Sequence, residues 1–212
     1  MFYNPESAAK KAKAESEKIL TKRYEVYPEL PLLIRSDIRE HDEFVDRALI
    51  LDAMLHIHFN MPTEQVAAWI EKHNLSDSLT APEQDILNKP NDELTEEEKI
   101  RVFWYIESLW AMLWVGSRIN KLTINTPCEE FMSTLCPNIQ KDDDKLFRKR
   151  LKLRTLRQVF FIFDLHFRLH YYAVNTDEPK VNPLIIQARR KSLDWVLSPD
   201  KGWEEINFDF DA

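Results

Sequence analysis

Only 2 of the 212 residues are glycine. With so few positions free to adopt positive φ, tight two-residue hairpins are disfavoured, and so are the glycine-rich loops that cradle phosphate. Cysteine is equally scarce. Cys128 and Cys136 are too few for a secreted disulfide scaffold, and no second pair follows at zinc-binding spacing. They read as free thiols. No apolar run reaches the ~18 residues of a membrane span. The nearest approach, residues 102–116, is interrupted by Glu107 and Ser108. Residues 1–14 carry lysines but no apolar stretch, so they do not read as a secretory signal. Positive charge is in deficit, with 29 Lys and Arg against 36 Asp and Glu, a net charge of −7. That balance counts against a nucleic-acid partner, since phosphates need a basic face. No Gly-x-Ser-x-Gly nucleophile motif is present. The expectation from these absences is a cytoplasmic protein without membrane span, nucleic-acid partner, metal or cofactor.

What remains is rich in core-forming material. The chain is 44% hydrophobic and 11% aromatic, enough for a substantial interior, and its 11 prolines punctuate rather than fill the helical patterns. Residues 6–24 are Ala/Lys/Glu-rich with a thin apolar face, and residues 26–34 carry Pro28 and Pro31 and read as an extended linker. The expected organisation is therefore residues 1–34 as N-terminal helix and linker, and residues 35–212 as the helical domain. Phe44, Ala48, Leu51 and Leu55 place a helix over residues 38–59. Val66, Ala67 and Ile70 place a short one over residues 63–73.

Three T-x-x-E capping boxes mark further helix starts: Thr80 with Glu83, Thr95 with Glu98, and Thr126 with Glu129. After Thr95, apolar residues from Ile100 to Trp114 surround the whole cylinder, so that helix is expected to be buried on all sides and to end at Gly116. A solvated loop is expected around Asp142, Asp143 and Asp144. A long helix over residues 147–174 carries a stripe of Leu153, Leu156, Phe160, Phe163 and Phe167, and Asn182-Pro183 opens the last helix. The fold class is all-α: a bundle of about seven or eight helices around a Trp-rich central helix.

Several polar groups interrupt these apolar patterns. Glu107 stands among Trp104 and Trp114, where a carboxylate must find a cation or hydrogen-bond donors. It reads either as a general acid–base or as half of a structural ion pair. Asp164 and Arg168 are four apart on one helix face and can pair, for a substrate or for the fold. His166 and His170 share that spacing but lack the intervening Glu of a metalloprotease and a third ligand, so no metal is expected. His56 and His58, two apart, diverge on a helix. Lys145, Arg148, Lys149, Arg150, Lys152, Arg154 and Arg157 run without an intervening acid. They form either a solvated face or, from Arg148 to Arg157, a patch for an acidic protein partner.

With these segments in hand, the chain resembles the family catalogued as domain of unknown function 4272. The resemblance rests on Arg47-Ala48-Leu49, on Trp104, Glu107, Leu109 and Trp114, and on Asp164, Arg168 and His170 within Asp-Leu-His-Phe-Arg-Leu-His. It closes with Leu193-Asp194-Trp195 after a basic pair, then Trp203 and Asp209. Where the family reads Glu-Arg-His, this chain has Ala188-Arg189-Arg190, so either Arg189 or Arg190 takes the arginine position; Asp209-Phe210 replaces Asp-Thr. The resemblance implies a compact helical domain and brings no activity. It selects Arg47, Glu107, Asp164, Arg168, His170, Arg189 and Asp209 as a candidate polar cluster, with Trp104, Trp114 and Trp195 as candidate pocket aromatics. The leading functional expectation is a non-catalytic interaction or binding protein. The alternative is an enzyme or small-molecule binder with Glu107, Asp164 and Arg168 in its pocket.

Overall fold

In the computed structural model, the described residues (4–141 and 143–210) form eight α-helices and no strand. Asp142 of the acidic run, residues 1–3 and residues 211–212 lie outside them. The helices are α1 (Pro5–Leu20), α2 (His41–His58), α3 (Thr63–Lys72), α4 (Ala81–Leu87), α5 (Glu96–Val115), α6 (Lys145–Arg150), α7 (Leu156–Asn175) and α8 (Pro183–Val196). They divide between two compact units. The first contains the chain up to Arg39, Leu122–Thr126 and the chain from Arg154 onward; the second contains Glu40–Lys121 and Pro127–Leu153.

In the first unit, α7 packs against both α1 and α8. Leu20 of α1 joins Leu165, Leu169 and Tyr172 of α7, and Val181 and Ile186, in one apolar cluster. Residues 4–34, read from sequence as N-terminal helix and linker, fall within this unit. Its irregular segments are held by arginines. Arg39 donates to the carbonyls of Trp195, Ser198 and Lys201 and lies 3.8 Å over the Trp195 ring. Guanidinium suits this task because its donors form a planar fork while its face stacks on aromatics.

In the second unit, α2 packs along α5, and α3 along α2. Arg47 to Leu55 of α2 are buried without a break. α5 differs from its expected all-round burial. Glu107 to Val115 are buried, but Ile100 and Phe103 in its first half are 56% and 38% exposed. The capping box at Thr95 forms, whereas at Thr80 only its Glu83 half does, the Thr80 amide donating to the Glu83 carboxylate at 2.8 Å. Gly116 ends α5 with φ −77, so its value lies in space rather than in left-handed backbone: a Cβ there would stand 2.1 Å from Leu151 Cδ2.

Two expected elements come out differently. The box at Thr126 starts no helix: residues 127–129 are irregular and a short 3₁₀ turn follows at Glu130–Thr134. Tertiary partners hold the backbone there, since the Thr126 carbonyl accepts from Arg189 and the Cys128 amide donates to Glu107. The single helix expected over residues 147–174 is two, α6 and α7, separated by residues 151–155. Thr155 with Gln158 forms a capping box that begins α7 afresh.

Candidate functional site

The second unit contains a cleft of about 820 Å³ walled by α2, α5 and the segment from Cys128 to Gln140. That is within the range of small-molecule sites, roughly 300–1,000 Å³. Leu55, Phe59, Ile106, Met132 and Ile139 make its wall mainly apolar. The sequence dictates the placement locally. Residues three or four apart share a helix face, so Asp52 and His56 of α2, and Phe59 just past its end, all reach the same side. The opposite wall is an irregular segment, and Glu107 anchors it. The Glu107 carboxylate accepts from the Cys128 amide at 2.9 Å, holding the first turn of that wall onto α5.

Asp52 is the polar centre of the cleft. It is 6% exposed, and burial pushes its carboxyl up to about 7, while a hydrogen bond with Cys136 pulls the other way. A carboxyl that changes charge near neutral pH is the kind of group found at binding and catalytic sites. Burial also pushes the Cys136 thiol well up, aided by the neighbouring Asp52 charge, with Arg118 pulling it partly back. Cys136 is therefore a neutral donor rather than a thiolate nucleophile. His56, one turn after Asp52, is pushed down by burial and stays a neutral imidazole at pH 7. Glu129 and Glu130 line the cleft as well, and among the described residues no Lys or Arg does.

The residues selected by sequence lie elsewhere or act at one remove. Arg47 grips the fully buried Glu83 at 2.7 and 2.9 Å and donates to the Ser78 carbonyl, fixing the start of α4 on α2. Glu107 supports the cleft wall without lining the cleft. In the first unit, Arg168 makes a two-pronged pair with Asp164, 3.0 Å at each contact, and donates to the Pro31 carbonyl. Arg189 donates to the carbonyls of Thr123 and Thr126. Arg190, not Arg189, reaches His170 at 2.8 Å and the carbonyls of Phe208 and Asp209, and it stacks 4.7 Å over Phe167 and 4.6 Å over Phe210. Asp209 thus contributes its backbone carbonyl as well as a favourable charge to Arg190. His166 hydrogen-bonds the Ile162 carbonyl from Nδ1. Burial pushes His166 and His170 each down to about 4. Trp104 packs against Phe103, Trp114 is buried, and Trp195 lies under Arg39; none of the three lines the cleft.

A family model described as domain of unknown function DUF4272 matches residues 12–206. The chain belongs to that family. The match takes in all of the cleft and every candidate residue except Asp209. No curated protein and no solved structure matches this DUF4272 chain. None of its described helices is long and apolar enough to cross a membrane.

Sequence reasoning missed Asp52, Cys136 and the cleft role of His56. A signal for Asp52 was present: it is the single acid in residues 47–57, an otherwise apolar stretch closed by Arg47 and His56-Ile57. The logic that selected Glu107 selects Asp52 equally. Nothing in the sequence could pair it with Cys136, 84 positions later.

Proposed function

We propose that this DUF4272 protein is a non-catalytic binding protein, and that the Asp52 cleft is where it takes a small, mainly apolar molecule. One observation carries the reading: a cleft of about 820 Å³ with an apolar wall and a buried carboxyl at its centre. Apolar clefts with a few convergent polar groups are the usual form of small-molecule sites. The thiol and imidazole beside Asp52 support binding over covalent chemistry, since burial keeps both neutral.

The test is uptake of a neutral fluorescent apolar probe, N-phenyl-1-naphthylamine. Saturable enhancement is expected for the native chain. Ser133 is an exposed lining residue, so Ser133→Trp obstructs the mouth without touching the core. It should weaken uptake at least about tenfold with melting unchanged, the change expected from losing ~1.4 kcal/mol of contact. Equal uptake by both proteins would remove the cleft from consideration.

A second reading rests on the basic run. Arg148 is engaged with Asp46 and Asp144, but Lys149, Arg150 and Lys152 are exposed. Three exposed cations in so short a span suit an acidic protein partner. Charge reversal at Lys149, Arg150 and Lys152 should lower capture of that partner and leave probe uptake intact.

A further inference from the structure

We infer that the cleft selects amines: its occupant is an alkyl- or aralkylammonium, with its cation against Asp52 and its apolar body along Leu55, Ile106 and Met132. This rests on the cleft being the binding element and names the chemistry of what enters it.

The argument is one of charge complementarity. Among the described residues, the lining holds three carboxyls, Asp52, Glu129 and Glu130, and no Lys or Arg. His56 faces the same space but carries no charge at neutral pH, because burial lowers its proton affinity. A carboxylate or phosphate ligand would find no cation on the lining to pair with, and three acids to repel it. The polar lining that remains, from Ser133, Asn138 and Gln140, can orient a ligand of either sign and so does not decide.

Asp52 adds the second, independent observation. It is nine-tenths buried, and the hydrogen bond that lowers its proton affinity comes from the Cys136 thiol, a weak donor. A carboxyl so poorly served gains most from a full positive charge. An ammonium would supply that charge together with strong N–H donors. At the mouth, the Phe59 ring is 60% exposed and lines the cleft, a surface that an apolar ligand body or a cation can cover.

Binding then carries a proton balance. Below neutral pH, Asp52 holds a proton in the empty cleft. The amine arrives already protonated, the ion pair forms, and the Asp52 proton leaves for the buffer. No bond to carbon is made or broken. The groups facing Asp52 are few: His56 on its own helix, Cys136 on the facing segment, and Glu129 and Glu130 on that same wall. Arg118 acts on Cys136 from behind it. Burial holds His56 neutral and keeps the Cys136 thiol already protonated, so neither takes up the released proton. Binding should therefore release up to one proton at pH 6 and almost none at pH 8.5.

The experiment is calorimetric titration of the full chain with octylamine, octanol and octanoate at pH 6.5, in phosphate and in imidazole buffer. Octylamine should bind about tenfold or more tighter than octanol, the gain of a charge-assisted hydrogen bond. Octanoate should be the weakest. The octylamine heats should differ between buffers, and the difference should vanish at pH 8.5. Asp52→Asn should abolish the preference for octylamine over octanol. If that variant fails to fold, the buffer dependence of the native protein decides alone. Octanol binding as tightly as octylamine, with buffer-independent heats, would overturn the amine assignment and leave the cleft standing. Octanoate binding tightest would overturn it in favour of an anion. Failure of all three to bind would overturn the cleft reading as well.

Discussion

Replacing Asp52 with asparagine should make the protein more stable, and increasingly so as pH rises. The folded carboxyl loses its proton near 7 rather than at its ordinary 3.8, and the group is 6% exposed, so little solvent screening reduces the effect. Between those values the folded chain holds a proton that the unfolded chain has released. Stability therefore falls with rising pH from about 4 and levels off once pH exceeds the folded value, the direction opposite to that of a salt-bridged aspartate. The full gap from 3.8 to about 7 corresponds to about 4 kcal/mol. Asparagine keeps the shape, stays neutral and avoids that loss. The stability difference between variant and native protein should widen by about 3 kcal/mol between pH 5 and pH 8. Urea unfolding of both proteins at the two values measures it, and the comparison cancels the histidines, which the variant leaves alone. A constant difference across that range would mean that Asp52 titrates as an ordinary exposed carboxylate and that the cleft is wet at its centre.

Other consequences follow from the same packing. Arg168→Ala strands the fully buried Asp164 and should cost about 3–5 kcal/mol in denaturant unfolding, whereas a pair that mattered little would cost under about 1. Gly116→Ala places a methyl group 2.1 Å from Leu151 Cδ2 and should destabilise by about 1–3 kcal/mol, even though φ there suits alanine. His166 and His170 are each held down near 4, so both favour the fold above about pH 6.5 and lose that contribution as pH falls towards 4. His170→Asn should flatten the acid limb of the stability curve, and an unaltered limb would argue against neutral His170 beside Arg190. Thr155→Ala removes the cap that separates α6 from α7 and should cost about 1 kcal/mol, visible as a lower melting temperature.

The helical class was legible because it is written in local terms. Period, proline placement and the T-x-x-E starts at Thr80 and Thr95 report on neighbours in sequence, and a helix begins after each. The Thr126 box has the same letters but no helix, because Arg189 and Glu107 hold its backbone from far along the chain. Thr155 with Gln158 shows the converse: a weaker-looking box begins a new helix inside a continuous apolar pattern. For the polar residues, sequence gave burial but not partners. Arg168 with Asp164 could be paired by spacing alone, being four apart on one helix. Arg47 with Glu83 and Arg190 with His170 could not. The cleft was invisible for the same reason: one wall is a helix, readable by period, and the other an irregular segment tied at Cys128 to the distant carboxylate of Glu107.

The division of the chain also sets an order of events during synthesis. The first unit begins before Arg39 and is completed only by the chain from Arg154 onward, with the second unit's residues made in between. The helix partner of α1 is α7, which begins at Leu156, 136 positions after Leu20. At ordinary translation rates, α1 waits roughly 10–30 s for it. Its buried face is small, Ala9, Ala12, Ser16 and Leu20, and the rest of it carries lysine–glutamate pairs such as Lys10 with Glu6. A nascent helix of that kind can stay in water until its partner emerges, where a strongly apolar one would recruit the wrong neighbour.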